Sequence, residues 1–299
     1  MSGESDRPRI IGLGLACLDY LFVTEAATAG GQARLVEYAV EGGGLVATAL
    51  AAAARLGARA EIISWVGDDE EGRLVLEGLR REGVDVRRAE VVRGGRTAVS
   101  FIQVEAGTGE RTIYHRRGIE TVSARAGEGN LECDVALVDG VWRDASIAFA
   151  RRAREGGIPV VGDFCPTGDL QALAGHTSAL IVNRQCGEQI GGSWGARLGR
   201  LAELGPEFAA ITAGEEGCYY LDGGEVTHQP AFKVEVADTT GAGDVFHGAF
   251  AYALARGWAY PRCVEFASAA AGLSCRALGG RKAIAGVEEV EGLVRGEKR

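Results

Sequence analysis

Between residues 60 and 295, short apolar runs such as VALVD, IPVVGDF and ALIVN alternate with stretches of helical periodicity. This alternation is typical of a doubly wound, mostly parallel α/β sheet with helices on both faces. KVEVADTT is predicted to be the last strand, and the closing helices are predicted near 242–256, 261–276 and 286–295. With 299 residues, 46% of them hydrophobic, the chain can bury one large core.

Two segments do not follow this alternation. Residues 18–40 and 97–117 alternate apolar and polar positions, as half-exposed strands do. We expect them to pair as a small antiparallel sheet outside the main one, where they would form a lid. Long alternating strands need their edges covered, and a second subunit can cover them.

Charge and cysteine content exclude some partners. The net charge is -9 and basic tracts are short, which argues against nucleic acid and anionic membranes. The seven cysteines form no CxxC pair, so we expect free thiols in a reducing cytosol. The first residues, MSGESDRPR, are polar, and no run approaches 18 uncharged apolar residues, which predicts a cytoplasmic protein.

The stretch DTTGAGDVFHGAF places Gly241, Ala242 and Gly243 at a predicted helix N-terminus, with Asp244 in the first turn. Such a terminus offers unpaired N–H groups to an anion, and small residues let the anion approach. Asp244 would repel that anion unless a hydroxyl lay between them. A base, a hydroxyl and a phosphoryl group stabilised by N–H donors describe a phosphotransferase. The alternative is a glycine-rich turn with Asp244 as a helix-dipole partner.

The same stretch resembles the C-terminal signature of the PfkB, or ribokinase-like, carbohydrate kinases. EGGGLVATALAAAARLGA and IISWVGDDEEG are similar to other motifs of that family, so the resemblance covers nearly the whole chain. HQPAFKVEVADTTGAGDVFHGA resembles the sulfofructose kinase branch most closely. The resemblance implies a single ribokinase-like domain over residues 1–299, built as a Rossmann-like sandwich whose lid often pairs two subunits. It also implies ATP and Mg²⁺ as cofactors.

The resemblance assigns catalytic and sugar-binding roles by position. Asp244 matches the catalytic base, and Gly241, Ala242 and Gly243 match the anion hole. The sugar-binding positions are Asp19 for the hydroxyl groups and Gly43 with Gly44 beneath the ring.

Nucleotide and cation sites follow in the same way. The positions that match the phosphate-binding strand and turn are Thr212, Gly214 and Gly217. Asp238, Thr240 and carbonyl groups of residues 275–283 match a monovalent-cation site, which would hold K⁺.

Three positions depart from the family pattern or stay open. Thr48 replaces an Asn that usually follows the Gly-Gly pair, so sugar preference is expected to differ. The NxxE element begins at Asn183, but Cys186 stands at the Glu position, with Glu188 two residues later. This puts the magnesium and water contacts on that side in doubt. Asp163 either assists them or caps a helix.

The acceptor is expected to be a primary hydroxyl of a ketose or ketose derivative. On the predicted lid strand, either His115 with Arg117 or Arg116 alone faces the sugar, because alternate residues share a face. Val141 stands where the sulfofructose branch carries a basic residue, although Arg143 follows. A neutral ketose is therefore expected rather than a sulfonated one.

Other classes of function remain as alternatives. A sugar- or nucleotide-binding protein without catalysis could share the fold, although it would not need Asp244. A kinase for a nucleoside or a sugar acid is also compatible. Gly12 and Gly14 resemble part of a dinucleotide fingerprint, but Cys17 stands at the third glycine, which tells against an NAD-dependent dehydrogenase.

Overall fold

The structure is a computed structural model that describes residues 7–25, 31–108, 111–123 and 131–297. Residues 26–30 and 109–110 of the segments predicted to form the lid lie outside this description, as do both ends of the predicted domain. In the described parts, no helix is both long and apolar enough to cross a membrane.

The described residues contain one large sheet, and its order confirms the doubly wound prediction. From edge to edge its strands are β13 (Glu225–Gln229), β12 (Cys218–Asp222), β11 (Phe208–Thr212), β10 (Ala179–Asn183), β9 (Val160–Gly162), β8 (Val135–Val138), β1 (Arg9–Leu13), β4 (Arg59–Gly67) and β5 (Val84–Val92). Neighbouring strands from β11 to β5 pair in parallel, whereas β12 and β13 form the antiparallel hairpin at one edge.

Helices cover both faces of this sheet. One face carries α1 (Leu45–Arg55), α2 (Glu70–Arg81), α7 (Ala242–Ala255), α8 (Tyr260–Ser274) and α9 (Val287–Val294). The other face carries α3 (Arg143–Glu155), α4 (Gln171–Ala174), α5 (Arg184–Ile190) and α6 (Trp194–Ala202). The three closing helices lie where the sequence predicts them.

Side-chain alternation along the strands separates two hydrophobic cores. In β1, Ile10 packs with α1 and α7, whereas Ile11 and Leu13 pack on the opposite face. The contact between α1 and α7 is unusually close, because a Cβ at Gly248 would overlap the backbone carbonyl of Ala49. This contact fixes the start of α7 against the carboxyl ends of the parallel strands.

The predicted lid segments form a second sheet, called the small sheet below. Its strands, in spatial order, are β3 (Leu35–Gly43), β2 (Cys17–Thr24), β6 (Val99–Glu105) and β7 (Arg111–Arg116). The two outer pairs are antiparallel as expected, and the central pair β2–β6 is parallel. The register places Glu41, Asp19, Ser100 and His115 in one row, so these side chains share one face.

Two details differ from the sequence prediction. KVEVADTT is not a strand: the N–H groups of Ala237 and Asp238 both donate to the Cys275 carbonyl oxygen, at 2.8 and 3.1 Å. The segment is therefore hydrogen-bonded to the C-terminal end of α8 instead of to a neighbouring strand. Strand β5 has no counterpart in the prediction, because its sequence VDVRRAEVV is rich in charge and lies at the sheet edge.

Candidate active site

The N-terminus of α7 presents free backbone donors. Gly241 is the N-cap residue with φ +72°, a conformation that favours glycine, and a Cβ there would lie 2.8 Å from the Gly280 Cα. A Cβ at Gly243 would meet open space. Within the described chain, the N–H groups of Gly243 and Asp244 have no acceptor, whereas that of Ala242 donates to the Thr239 carbonyl. An anion can therefore approach this end.

Asp244 lies in the first turn of α7 among other carboxylates. Burial raises its pKa well above the usual range for Asp, and Asp163 and Asp19 raise it further. The Arg281 guanidinium opposes this by lowering the pKa. A carboxylate with a raised pKa holds a proton more strongly, which suits a general base that works near neutral pH.

Asp163 and His247 form a buried pair beside Asp244. His247 Nδ1 lies 2.7 Å from the Gly243 carbonyl oxygen and 3.3 Å from Asp163 Oδ2, while Nε2 lies 3.0 Å from the Ile181 carbonyl oxygen. Carbonyl oxygens only accept, so a proton on either ring nitrogen can donate to one of them. His247 is 2% exposed and is a packed neighbour of the site.

Asp19 stands on the face of the small sheet that is turned toward α7. The Cys17 thiol donates to Asp19 Oδ1 at 3.3 Å, and Ser100 also hydrogen-bonds to the carboxylate. Burial raises the pKa of Asp19 above its usual value. A Cβ at Gly43 would overlap this carboxylate, which explains the glycine there. The structure thus brings Asp19, Gly43 and Asp244 to one site.

His115 belongs to the same row, but the arginines beside it do not. The register pairs Asp19 with Ser100 and Ser100 with His115, so Asp19 and His115 share a face, and the charge of His115 acts to lower the pKa of Asp19. Arg116 Nη2 turns to the opposite face and donates to the Thr97 carbonyl at 3.0 Å and to Glu71 at 3.4 Å. Arg117 is exposed just beyond the end of β7. Its role in sugar binding stays a prediction.

Arg281 is a functional candidate that sequence reasoning missed. It is 5% exposed, its Nε donates to Thr48 Oγ1 at 3.2 Å, and its Nη2 donates to the Gly43 carbonyl at 2.9 Å. Gly44, the N-cap of α1, has φ +96°, and any other residue there would bring its Cβ against the Leu15 carbonyl oxygen. In the sequence, Arg281 lies in GGRKA, and its loop was expected to contribute only backbone carbonyls to a monovalent-cation site.

The predicted nucleotide residues gather at the opposite end of the site. Asn183 and Thr212 are register partners at the carboxyl ends of β10 and β11. Asn183 caps α5, and its side chain accepts from the Cys186 N–H at 2.9 Å. Gly214 and Gly217 have φ +60° and +97°, and a Cβ at Gly217 would overlap the Gln229 carbonyl. These residues place a turn that begins and ends with glycine, Gly214–Gly217, beside Asn183 and Thr212.

A disulfide between Cys165 and Cys186 corrects the expectation of free thiols throughout. Cys165 follows β9 and Cys186 lies in the first turn of α5, so the pairing of β9 with β10 brings them together. No sequence spacing announces such a pair. It also turns the side chain at the usual Glu position into the core, where Cys186 is 3% exposed, while Glu188 is exposed.

Mg²⁺ fits the acidic end of this site. In the described part of the chain, no cluster of three or more His, Cys, Asp or Glu side chains could hold a metal. Mg²⁺ that arrives with a nucleotide needs only one or two carboxylates, with waters and phosphates completing its shell. Asp163 Oδ2 is buried and has no hydrogen-bond partner, so it can accept from a metal-bound water. Asp163 is the residue that would hold the ion, through such a water.

The side chains predicted for a monovalent cation are already occupied by an arginine. Arg111, at the start of β7, donates through Nη1 to Thr240 Oγ1 at 3.0 Å and to Asp238 Oδ1 at 3.4 Å. Its Nη2 donates to Thr239 Oγ1 at 2.7 Å. The small sheet therefore contacts the segment that leads directly into α7.

Comparison with known proteins identifies the family. Residues 8–285 match the pfkB family of carbohydrate kinases. A ribokinase of Schizosaccharomyces pombe is 28% identical, covering 95% of this chain and 96% of its own length. Fructokinase-1 of Zea mays is also 28% identical, with coverages of 69% and 72%. A solved structure from Agrobacterium tumefaciens, provisionally assigned as a ribokinase, is 30% identical with a TM-score of 0.88, covering 98% of this chain and all of its own.

The chain therefore belongs to the pfkB family of carbohydrate kinases, and its fold is ribokinase-like. It is an ATP-dependent carbohydrate kinase that phosphorylates sugars. The glycines that suggested a dinucleotide fingerprint have a packing role instead: a Cβ at Gly12 would press on Leu50, and one at Gly14 on Asp139. Nothing in the described site favours the dehydrogenase alternative.

Proposed function

We propose that the protein transfers the γ-phosphoryl group of ATP to a primary hydroxyl of a ketose or ketose derivative. The observation that carries the proposal is the start of α7, where Asp244, with its raised pKa, stands beside unpaired N–H groups. A base and an anion hole on one helical turn suit attack by a neutral hydroxyl on a phosphoryl group.

The sugar would lie over Gly43 and Gly44, at the end of β3, and the face of the small sheet that carries Asp19 would act as its lid. Asp19 would accept hydrogen bonds from sugar hydroxyls, with Thr48, His115 and Arg117 completing the predicted contacts. Asp244 would take the proton of the attacking hydroxyl.

The phosphoryl group would be received at the anion hole predicted at Gly241, Ala242 and Gly243, where the N–H groups of Gly243 and Asp244 have no acceptor in the described chain. ATP would lie along Asn183, Thr212, Gly214 and Gly217. Mg²⁺, held near Asp163, would supply charge neutralisation to the phosphates.

A neutral ketose is the proposed acceptor. Val141 is exposed where the related branch has a basic residue, and Arg143 donates to Asp144 at 2.8 Å. A sulfonate would need charge-assisted donors at this position. The alternative acceptors are a nucleoside or a sugar acid, and the alternative without chemistry is sugar or nucleotide binding alone.

A homodimer is proposed through the outer face of the small sheet. Tyr38, Val40, Phe101 and Tyr114 share this face and are each at least 40% exposed. An apolar patch on unprotected strands is typical of a protein interface. A single domain over residues 1–299 and a cytoplasmic location stay predictions.

The test is an ADP-release assay with ketoses, aldoses, nucleosides and sugar acids. It should show the highest kcat/KM for a neutral ketose, in a comparison that includes fructose, fructose 6-phosphate and sulfofructose. A 100-fold preference for sulfofructose, about 2.7 kcal/mol, would refute the neutral acceptor. No turnover with any acceptor, together with retained ATP binding, would favour the non-catalytic alternative.

Asp244→Asn should leave ATP binding intact and lower kcat by on the order of 100- to 10,000-fold, because the base is lost. Asp222→Asn is a matched control, since Asp222 is exposed at the end of β12, before the β12–β13 turn. Near-normal turnover in Asp244→Asn would remove the base from this assignment.

A further inference from the structure

Arg111 reaches from the small sheet to the acidic segment before α7. Three hydrogen bonds fix its guanidinium: Nη1 to Thr240 Oγ1, Nη1 to Asp238 Oδ1 and Nη2 to Thr239 Oγ1. The Arg111 side chain is 35% exposed and that of Asp238 is 5% exposed, so the pair spans the boundary between solvent and core.

Both carboxylate oxygens of Asp238 already accept hydrogen bonds, and Oδ1 is saturated. Oδ1 accepts from the Thr240 N–H at 3.0 Å, from Thr240 Oγ1 at 2.9 Å and from Arg111 Nη1. Oδ2 accepts from the Gly279 N–H at 2.9 Å. Each carboxylate oxygen has about two lone-pair sites, so the three donors at Oδ1, the oxygen that Arg111 contacts, leave none for a cation there.

A monovalent cation does not fit these side chains as they stand. It would need the oxygen lone pairs that the N–H and O–H donors occupy, and it would lie close to the Arg111 charge. Two unit charges about 4 Å apart repel by about 4 kcal/mol at a protein surface. The side-chain half of the predicted K⁺ site is therefore closed by the protein's own cation.

We propose that Arg111 replaces a monovalent cation in this kinase and fastens the small sheet to the segment that positions the anion hole. The connection to the anion hole is short. The Thr239 carbonyl accepts from the Ala242 N–H at 3.3 Å, and the segment 238–240 directly precedes Gly241 in the chain. Arg111 is thus a positioning residue, and this role rests on the proposed kinase function.

The experiment measures the rate and the melting temperature in KCl, NaCl and tetramethylammonium chloride at equal ionic strength. The unmodified protein should show the same kcat and the same Tm in all three salts. Arg111→Met should lose about tenfold in kcat in tetramethylammonium, because hydrogen bonds to a charged group are lost. KCl or guanidinium should restore the rate and raise the Tm of this variant.

Arg34→Met is the matched control. Arg34 also flanks the small sheet, but it is 80% exposed, and among the described residues it pairs with Glu25, at 3.8 Å. It should behave as the unmodified protein does in every salt. Arg111→Lys should keep part of the rate, since it retains the charge and loses the two-pronged contact.

The outcomes separate this proposal from the proposed function. A strong K⁺ requirement in the unmodified protein, or an Arg111→Met variant that no cation restores, would overturn the role of Arg111. The Tm readout needs no substrate, so it still decides the question if no acceptor is phosphorylated. In that case a K⁺-dependent Tm seen only in Arg111→Met would support the replacement while the proposed function failed.

Discussion

Arg111 and Arg281 both connect the small sheet to the rest of the molecule, but their surroundings are opposite. Arg111 lies at the start of β7, which we call the tip of the small sheet. It extends from there onto the core, is partly exposed, and forms an ion pair with Asp238. Arg281 extends from the core to Gly43 at the end of β3, which we call the root of the small sheet, and is 5% exposed. Among the described residues, no carboxylate lies within 4.0 Å of Arg281.

The buried arginine has donors to spare. A guanidinium has five N–H donors, and only Nε and Nη2 of Arg281 have acceptors in the described chain. Nη1 lies against Gly42, where a Cβ would overlap it. Arg281 and Gly42 also line a cavity of about 530 Å³ between the small sheet and α2.

The different surroundings of Arg111 and Arg281 indicate that the two arginines have different roles. Arg111 is partly exposed although its partner Asp238 is buried, so solvent reaches the arginine and the contact can open and reform. A buried charge without a paired carboxylate is costly, so its retention suggests a use at the site. Asp19 and Asp244 both act on Arg281, which in turn lowers the pKa of each of them.

The sharpest way to break the comparison is Arg281→Gln, for which we expect a loss of about 100-fold in kcat/KM. Without the arginine charge the pKa of Asp244 should rise further, because Arg281 lowers it in the native protein. Asp244 must be ionised to accept a proton, so the loss should be larger at acidic than at alkaline pH. Rate profiles against pH would show the acid limb displaced to higher pH.

Arg281→Lys separates charge from hydrogen bonding in the same assay. It should restore the acid limb but keep a raised KM, because Lys cannot hold Gly43 and Thr48 together. Lys282→Gln is the control, since Lys282 is the exposed neighbour in the same loop. Identical pH profiles for Arg281→Gln and the native protein would show that Arg281 only supports the structure.

The sequence predicts the large architecture well because hydrophobic periodicity is local. The alternating runs correspond to the parallel strands, and DTTGAGD lies at a helix start as expected. KVEVADTT failed because alternation alone does not say whether a partner edge is free. Its backbone N–H groups bond to Cys275, which only the packing of α8 brings near.

The roles of the two arginines depend on contacts that a linear sequence does not show. Arg281 and Gly43 are 238 residues apart, and Arg111 and Thr240 are 129 apart. The same holds for Cys165 and Cys186, which meet through neighbouring strands. Gly-rich turns and the Asp244 position are visible in sequence because their physical reasons lie within a few residues.

A smaller effect is expected from a substitution next to Arg281, at the root of the small sheet. Gly42→Ala adds a Cβ that would overlap Arg281 Nη1, and the flexible guanidinium would have to move. We expect KM for the sugar to rise by about tenfold, since a displacement of the two bonds to Gly43 and Thr48 costs roughly 1.4 kcal/mol.

Gly78→Ala is the control for this change. Gly78 lines the same cavity from α2, and its Cβ would meet nothing within 4 Å. It should leave KM unchanged and raise the free energy of unfolding by about 0.5–1 kcal/mol, as alanine does within a helix. An equal KM for Gly42→Ala and the native protein would mean that Arg281 tolerates displacement.

The smallest expected effect concerns the tip side, where a second subunit would steady the small sheet. Tyr38→Asp places a charge on the exposed outer face, and Tyr38 is 55% exposed in one chain. Sedimentation at micromolar concentration should show a dimer for the native protein and a monomer for this variant. We expect kcat to fall by about threefold, because the Arg111 contact would lose support while that of Arg281 would not. In the Arg111→Met background the same change should have no further effect on kcat, since the contact is already absent. A native monomer would refute the dimer, and an additive loss in the double variant would show that the interface acts elsewhere than through Arg111.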